Sequence, residues 1–500
     1  MDFVFREKPM EYLDRIVLET LSQEQTAELI VPDSLPDAER VIDAAGTVLI
    51  RSEDCASDSA TVAGNVQANV LIVTEDGQMQ QLQTQIPFSF RKEYPSQEDC
   101  SLSAQCTLRG MDARMLNSRK LLLRVNICCT LCVYAEKKQV FYDVEEPSEK
   151  LQLKRVTLPM QLGATFAAKS FTLNEELELP EGATPLDRLL RCTYATEVED
   201  EKVVGSKAVF KGALLVHALY EGVDGKTRTQ DWRLPFSNYV QLERECEDCA
   251  LDTAFALTAA ETEPDGQLEC RRLLLSVTMI AQCTARRSAE ICYIADAYCT
   301  DAEFAPAWEQ WEAEGVLDVQ EFRETLSAQC DTGAQAVIEA RLIPEEAVIR
   351  REGETVQIEQ PFLCGILYLD TDGQPQARTM RAAVTCQTVL AENGNLRVQL
   401  SQLGELFTNA GSDAIQLRCP ITLRVESSAR QQIRCVSGGE ITPDTTQQET
   451  RASVLLRRAE GEEDLWQIAK ENRTAVRAIM EANALTEPVA PAGTMLLIPM

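Results

Sequence analysis

His217 is the single histidine among 500 residues, and it sits inside the alternating run Gly212-Ala213-Leu214-Leu215-Val216-His217-Ala218-Leu219-Tyr220. Ser-His-Asp and Cys-His catalysis and His-based zinc sites all need an imidazole that is free to reach the reacting atoms. In mid-strand, the expected place for this imidazole is a core or sheet face. Two Cys-x-x-Cys pairs, Cys129/Cys132 and Cys246/Cys249, have a spacing used for metal and redox work. The first lies in Ile127-Cys128-Cys129-Thr130-Leu131-Cys132, a strand pattern in which residues three apart face opposite sides and cannot share one ion. The second has only the single Cys270 nearby, not a second pair. No Gly-rich phosphate loop, Walker or dinucleotide pattern occurs. Carboxylates abound, but among 79 acidic residues they are by default a solvated surface. Paired glycosidase carboxylates leave no signature at this level, so hydrolysis stays formally open. The expectation is a chain that binds and does not catalyse, with no catalytic residue, metal or cofactor.

The elements that would carry such binding begin with bulk composition. A 45% hydrophobic and 25% charged chain can bury ordinary globular cores, and its length suggests about three or four domains. With 6% aromatic residues it is poor in stacking platforms for bases or sugars, and a formal charge of −31 repels nucleic acid and anionic membrane. Charges interrupt Met1-Asp2-Phe3-Val4-Phe5-Arg6-Glu7-Lys8, so no signal-peptide core forms there. No apolar run approaches the roughly 18 residues of a membrane span, and a cytoplasmic location is expected. The eighteen cysteines are spread thinly along strand-like runs. Free, buried thiols acting as small hydrophobes account for them.

A repeat runs through the first 440 residues. Gly64 to Val73 leads into a turn at Glu75-Asp76-Gly77, and Gly212 to Tyr220 into a turn at Val223-Asp224-Gly225, 148 residues on. The same offset relates Ile86-Pro87-Phe88-Ser89 to Leu234-Pro235-Phe236-Ser237 and carries Gly225 onto Gly373. Asp-Gly between alternating apolar segments signals a hairpin, because glycine takes the positive φ of a tight turn. Later strand-like runs, Leu121 to Val133, Leu273 to Cys283 and Ile415 to Val425, complete each copy. These define β domains at 45–145, 186–302 and 336–440, expected to be two-layered sandwiches. They are preceded by an N-terminal segment, 1–44, with a Pro-Asp motif. Residues 146–185 read as a connector with a strand-like stretch, Val156-Thr157-Leu158-Pro159, ahead of an acidic segment, and 303–335 as another, where Trp308 and Trp311 among alanines and carboxylates suggest a short docking helix. Gly438 to Thr450 is polar and reads as a linker, taken as 441–451, that isolates a module at 452–500.

In that module Ser453 to Arg458 alternates like a strand. Asp464 is placed as a helix N-cap with Gln467 completing a capping box. Leu465, Ile468 and Ala469 line the first helix. Arg473-Thr474 ends it, with Thr474 capping the next, and Val476, Ile479, Met480 and Asn483 line that second helix. Gly493 opens a last strand, Met495 to Pro499. This series closely resembles the LysM family, whose pattern is a glycine turn, Leu-Trp-x-Ile-Ala, Val-x-x-Ile-x-x-x-Asn-x-Leu and Gly-x-x-Leu-x-Ile-Pro. It departs in two places: Glu462, Glu463 and Asp464 separate Gly461 from Leu465, and Ala492 replaces a proline. The resemblance implies a β-α-α-β fold with a groove for N-acetylglucosamine polymers between two loops. Here those loops are Gly461, Glu462, Glu463 and Asp464, facing Asn483, Ala484, Leu485, Thr486 and Glu487. Trp466 is read as core.

Ile30-Val31-Pro32-Asp33-Ser34-Leu35-Pro36-Asp37-Ala38-Glu39-Arg40-Val41-Ile42 resembles the opening of the SPOCS domain of spore-coat-associated proteins, where such a segment precedes a short helix and a first strand. A fainter echo is Thr184 to Leu190. SPOCS repeats ahead of a LysM domain are the arrangement of a clostridial spore-coat morphogenetic family. The resemblance implies a mother-cell cytosolic scaffold at the forespore surface that docks a coat-basement ATPase through its LysM module. Peptidoglycan is the alternative partner. The fold class expected is mainly β: three homologous β-sandwich-like domains plus a small α+β LysM domain.

Overall fold

A long strand, a meander and a returning hairpin recur three times along the chain. The computed structural model describes residues 5–144, 150–266, 270–389, 394–443 and 453–500. In the first repeat β1 (Phe5–Ile30) leads into the meander β2 (Ala38–Cys55), β3 (Ser59–Thr74) and β4 (Met79–Glu93), then the hairpin β5 (Cys100–Asn117) and β6 (Lys120–Val144). The second runs β7 (Leu151–Glu178), β8 (Leu186–Val204), β9 (Lys207–Gly222), β10 (Thr227–Gln241), β11 (Ala250–Pro264) and β12 (Arg272–Cys299). The third runs β13 (Ala302–Cys330), β14 (Ala336–Pro344), β15 (Val348–Glu352), β16 (Thr355–Leu369), β17 (Pro375–Val389), β18 (Asn395–Leu403), β19 (Phe407–Ala410) and β20 (Ile415–Pro443). Two of its strands are thus split where the earlier copies are continuous. The turn glycines Gly77, Gly225 and Gly373 have φ of 78°, 74° and 77°, the left-handed conformation the Asp-Gly hairpins require.

Each repeat is a sandwich. One layer is the meander. The other is the hairpin, to which the long strand adds along its length: β1 pairs with β6 from Phe5 opposite Val144 to Ile30 opposite Lys120. The pairs β7 with β12 and β13 with β20 are built the same way. Val66, Phe88, Leu121 and Ile127 fill the first core, Val216, Phe236, Leu275 and Val277 the second, and Ile358, Phe362, Ile421 and Leu423 the third. All eighteen cysteines are unbridged, and most lie buried in these layers.

Four expectations need correction. Segments 1–44, 146–185 and 303–335 are not leads and connectors but hold the long strands β1, β7 and β13. The short helix expected around Trp308 and Trp311 is strand. Alanine and glutamate favour a helix locally, but pairing with β20 from Ala302 to Cys330 overrides that weak preference. Trp311 is buried there and donates from Nε1 to Tyr12 Oη at 2.9 Å, while Arg434 lies 4.1 Å over the Trp308 ring. No helix follows the Pro-Asp motif either: Val31 to Asp37 is a turn, and Ala38 starts β2. Its carboxylates are held by Arg119, at 3.0 Å from Asp33 and 3.3 Å from Asp37, and by the Ser118 hydroxyl at 2.6 Å. Finally, Gly438 to Pro443 continues β20, and the rest of the predicted linker lies outside the described residues.

The three meanders meet on a common pseudo-threefold axis. Leu71, Leu219 and Leu367, spaced by the repeat length, pack together there with Ile42, Leu190 and Ile338. In the adjoining layer stand Asp43, Arg191 and Glu339, again one per repeat. Arg191 donates to Asp43 at 2.8 Å and to Glu339, with side chains 1% and 2% exposed for Arg191 and Glu339. Arg341 grips Asp43 in bidentate fashion at 2.5 and 2.6 Å. Burial pushes the Asp43 and Glu339 carboxyls up, but Arg341 and Arg191 on the first and Arg191 and His217 on the second hold both well below the usual carboxylate range.

His217 completes this cluster, with Nδ1 2.5 Å from Asp231 and Nε2 3.3 Å from Glu339. Burial alone would lower its pKa; the hydrogen bond to Asp231 and the close Glu339 carboxylate outweigh that and raise it to about 9. A second buried network ties the long strands together. Arg15 of β1 reaches Glu314 of β13 at 2.7 Å and Glu426 of β20 at 2.8 Å, and Arg286 of β12 reaches Glu426 at 2.6 Å. Against the upward push of burial, Arg15 and Arg286 hold Glu426 at about 2.

Arg191→Leu leaves two buried carboxylates short of a partner, and we expect a loss of about 3–5 kcal/mol in denaturant unfolding. His217→Gln probes the same cluster through pH. A folded pKa of about 9 lies above the unfolded value of about 6.5, so the stabilisation is complete below pH 6.5 and is lost as pH rises through 9. The variant should be weaker by on the order of 2–3 kcal/mol at pH 6, with the gap closing by about pH 10.

Candidate functional site

The C-terminal module is built from β21 (Val454–Arg458), β22 (Glu463–Asp464), α1 (Leu465–Glu471), α2 (Val476–Ala482), β23 (Val489–Ala490) and β24 (Met495–Pro499). β21 pairs with β24, and both helices bury Leu465, Ile468, Ala469 and Ile479 against Leu496 and Ile498. Asp464 caps α1 as the sequence predicts, accepting from the Trp466 backbone N–H at 2.9 Å. Gln467 does not return the bond and faces solvent, so the capping box is not formed. Thr474 does not cap α2 either. Ala475 holds that position, and the chain breaks between the helices at Arg473, whose φ is 53°.

The two loops expected to frame a groove do come together. Glu463 and Asp464 pair with Ala490 and Val489, and Leu465 N–H donates to Pro488 O at 3.0 Å, which brings Glu487 beside the acidic turn. Their side chains divide by role. Asn483 is committed to the fold, accepting from Leu497 N–H and donating to Leu497 O, both at 2.7 Å. Leu485 packs on the core. Glu463 is held by Arg457 at 2.8 Å. Asp464 is paired with Lys154 at 2.7 Å, which with the cap bond keeps its carboxyl low despite partial burial. Glu462, Thr486 and Glu487 are exposed and have no side-chain partner among the described residues, with Gly461 and Ala484 beside them. The groove therefore presents carboxylates, a hydroxyl and backbone, and no aromatic face.

Residues 461–499 match the family model for the LysM domain. This stretch is a LysM domain. Comparison with curated proteins and with solved structures yields no match for the chain.

The LysM domain is clamped to the second repeat rather than isolated from it. Trp466 is 8% exposed, its ring 4.9 Å from that of Tyr298 in edge-on contact, and its Nε1 donates to Asp296 at 2.8 Å. Lys470 also reaches Asp296, at 2.7 Å, and the Tyr298 hydroxyl donates to Thr474 O at 2.7 Å. Burial would raise the Asp296 carboxyl, yet Lys470 and the Trp466 indole keep it below the ordinary range. Sequence reasoning missed Lys154, Asp296 and Tyr298: they lie on β7 and β12, and no local pattern links them to a module more than a hundred residues away.

Elsewhere, Cys129 faces the first core while Cys132 packs on the opposite face with Leu13 and Tyr134. Their strand separates them as the alternation requires. Among the described residues no three His, Cys, Asp or Glu side chains are grouped to hold an ion.

Asp296→Ala removes the acceptor shared by Trp466 and Lys470. The LysM domain should then detach, at a cost of about 1–3 kcal/mol in docking. Faster solvent exchange of the Trp466 indole N–H and earlier proteolysis between residues 443 and 453 would report the release. Unchanged exchange would place the clamp elsewhere.

Proposed function

We propose that the chain is a non-enzymatic assembly scaffold that docks onto a partner protein through its LysM groove. The observation that carries this reading is the chemistry of the groove. Sugar sites stack pyranose rings on aromatic faces, and the one indole of this domain is spent on Asp296 and Tyr298. What stays outward is Glu462, Thr486 and Glu487, a surface suited to a basic protein partner. The Pro-Asp segment and the repeats resemble SPOCS domains, which points to spore-coat assembly in the mother-cell cytosol and to a coat-basement ATPase as the partner. Linking one LysM contact to others on the β-sandwiches would raise avidity by about 10²–10⁴ without new chemistry at any one contact.

A second reading rests on the family match itself: LysM domains bind peptidoglycan and other N-acetylglucosamine polymers, and this groove has the family's two-loop frame. A sedimentation assay with insoluble peptidoglycan separates the readings. Protein docking predicts little retention, and none that chitin oligomers compete away. In sporulating cells, removal of residues 452–500 should abolish recruitment to the forespore surface while the β-sandwiches still fold; correct localisation of that truncated protein would refute the scaffold reading.

A further inference from the structure

A cluster of lysines on this acidic molecule lies on the outer face of the second meander. Seven of the thirteen lysines pair with a carboxylate. Of the six with no such pair among the described residues, four stand around one exposed tyrosine, Tyr239. Cross-strand register puts Lys202, Val209 and Tyr239 in one row, and Lys207 and Lys211 flank Val209 on the same face of β9. Lys169 reaches in from β7 and donates to Asn238 Oδ1 and to Tyr239 O, both at 3.2 Å. The ammonium groups of Lys169 and Lys207 each lie 4.7 Å from the Tyr239 ring centroid.

Two cations on one ring are thus within about 9 Å of each other, comparable to the screening length of about 8 Å in physiological salt. Asp200, opposite Lys211, is the one carboxylate in these rows and makes no ion pair with it. Such crowding of like charge is unfavourable unless an anion arrives to share it. Nor does the fold require it. One repeat earlier, the places of Lys207, Lys211 and Tyr239 are taken by Ser59, Ala63 and Arg91; one repeat later, by Thr355, Glu359 and Gln387. The cluster belongs to the second copy alone.

We propose that this face binds an acidic peptide segment of a partner protein. Lys207 and Lys211 are separated by about 13 Å along β9, a span that a short extended segment bridges with carboxylates. Tyr239 supplies an apolar ring between them. Long anionic surfaces fit poorly: a nucleic-acid backbone or a membrane would extend beyond four lysines onto a body carrying −31. The contact is independent of the LysM groove and has the opposite charge preference.

The test uses the full chain and a fluorescein-labelled peptide of alternating glutamate and alanine, read by polarisation at low salt. Lys169→Gln, Lys202→Gln, Lys207→Gln and Lys211→Gln together should weaken binding by about tenfold or more. A charge-matched control, Lys8→Gln, Lys120→Gln, Lys138→Gln and Lys226→Gln, should stay within about twofold. All eight side chains lie at the surface, and thermal melts confirm folding of both variants. Equal loss in both, or no binding by the parent chain, overturns the proposal. So does stronger patch-dependent binding to phosphatidylserine vesicles or single-stranded DNA, or lysine-dependent self-association of the chain in place of peptide binding.

Discussion

Three copies of one unit must meet on an axis, and what they place there governs the rest of the molecule. In a symmetric trimer of identical chains the position of Asp43 would carry three like charges in a dry layer, an arrangement that low dielectric makes prohibitive. Tandem copies on one chain escape that constraint, because each repeat can diverge. Here the three equivalent sites became Asp43, Arg191 and Glu339, and the cation sits between the two anions. Arg341 and His217 then balance the remaining negative charge. The leucine layer beside it keeps the repeat's symmetry, since apolar side chains pack against their own kind without penalty.

The long strands make a second closure some distance from that axis. Each one adds to its own hairpin, so a repeat is complete within itself, yet Arg15, Glu314, Glu426 and Arg286 bind strands of all three copies into one buried network. Ion pairs of this kind contribute little net stability against apolar packing, but they define register, since a slip by one residue would strand a charge. The LysM domain rests on the second repeat through Trp466, Lys470 and Thr474, and Lys154 of the same repeat holds Asp464 of the acidic turn. The LysM loops carry exposed carboxylates and the meander of the second repeat carries exposed lysines, two surfaces of opposite charge.

Much of this was legible in the residues. Period-two alternation, Asp-Gly turns and a constant offset located the repeats, because hairpin geometry is a local demand that few residues other than glycine meet. The LysM helices were legible for the same reason: apolar spacing and Asp464 as a cap are local signals. The long strands β1, β7 and β13 were not. In β13 glutamate and alanine favour a helix locally, and in all three it is the edge of the repeat's own hairpin that carries the pairing along the whole strand. That the two loops are neighbours was legible, but the roles of their side chains were not, since nothing near Asn483 announces that Leu497 has claimed its amide.

From sequence alone came the class of fold, the number of copies, the identity of the last domain and the net repulsion of anionic polymers. These rest on periodicity, turn chemistry and charge, which act between near neighbours or on the molecule as a whole. Tertiary structure decided which charges face one another across the axis, which side of the LysM domain is spent on docking, and which lysines are left without partners. Those outcomes depend on residues such as Asp43 and Glu339, or Asp296 and Trp466, far apart in sequence and joined only when the sheets close.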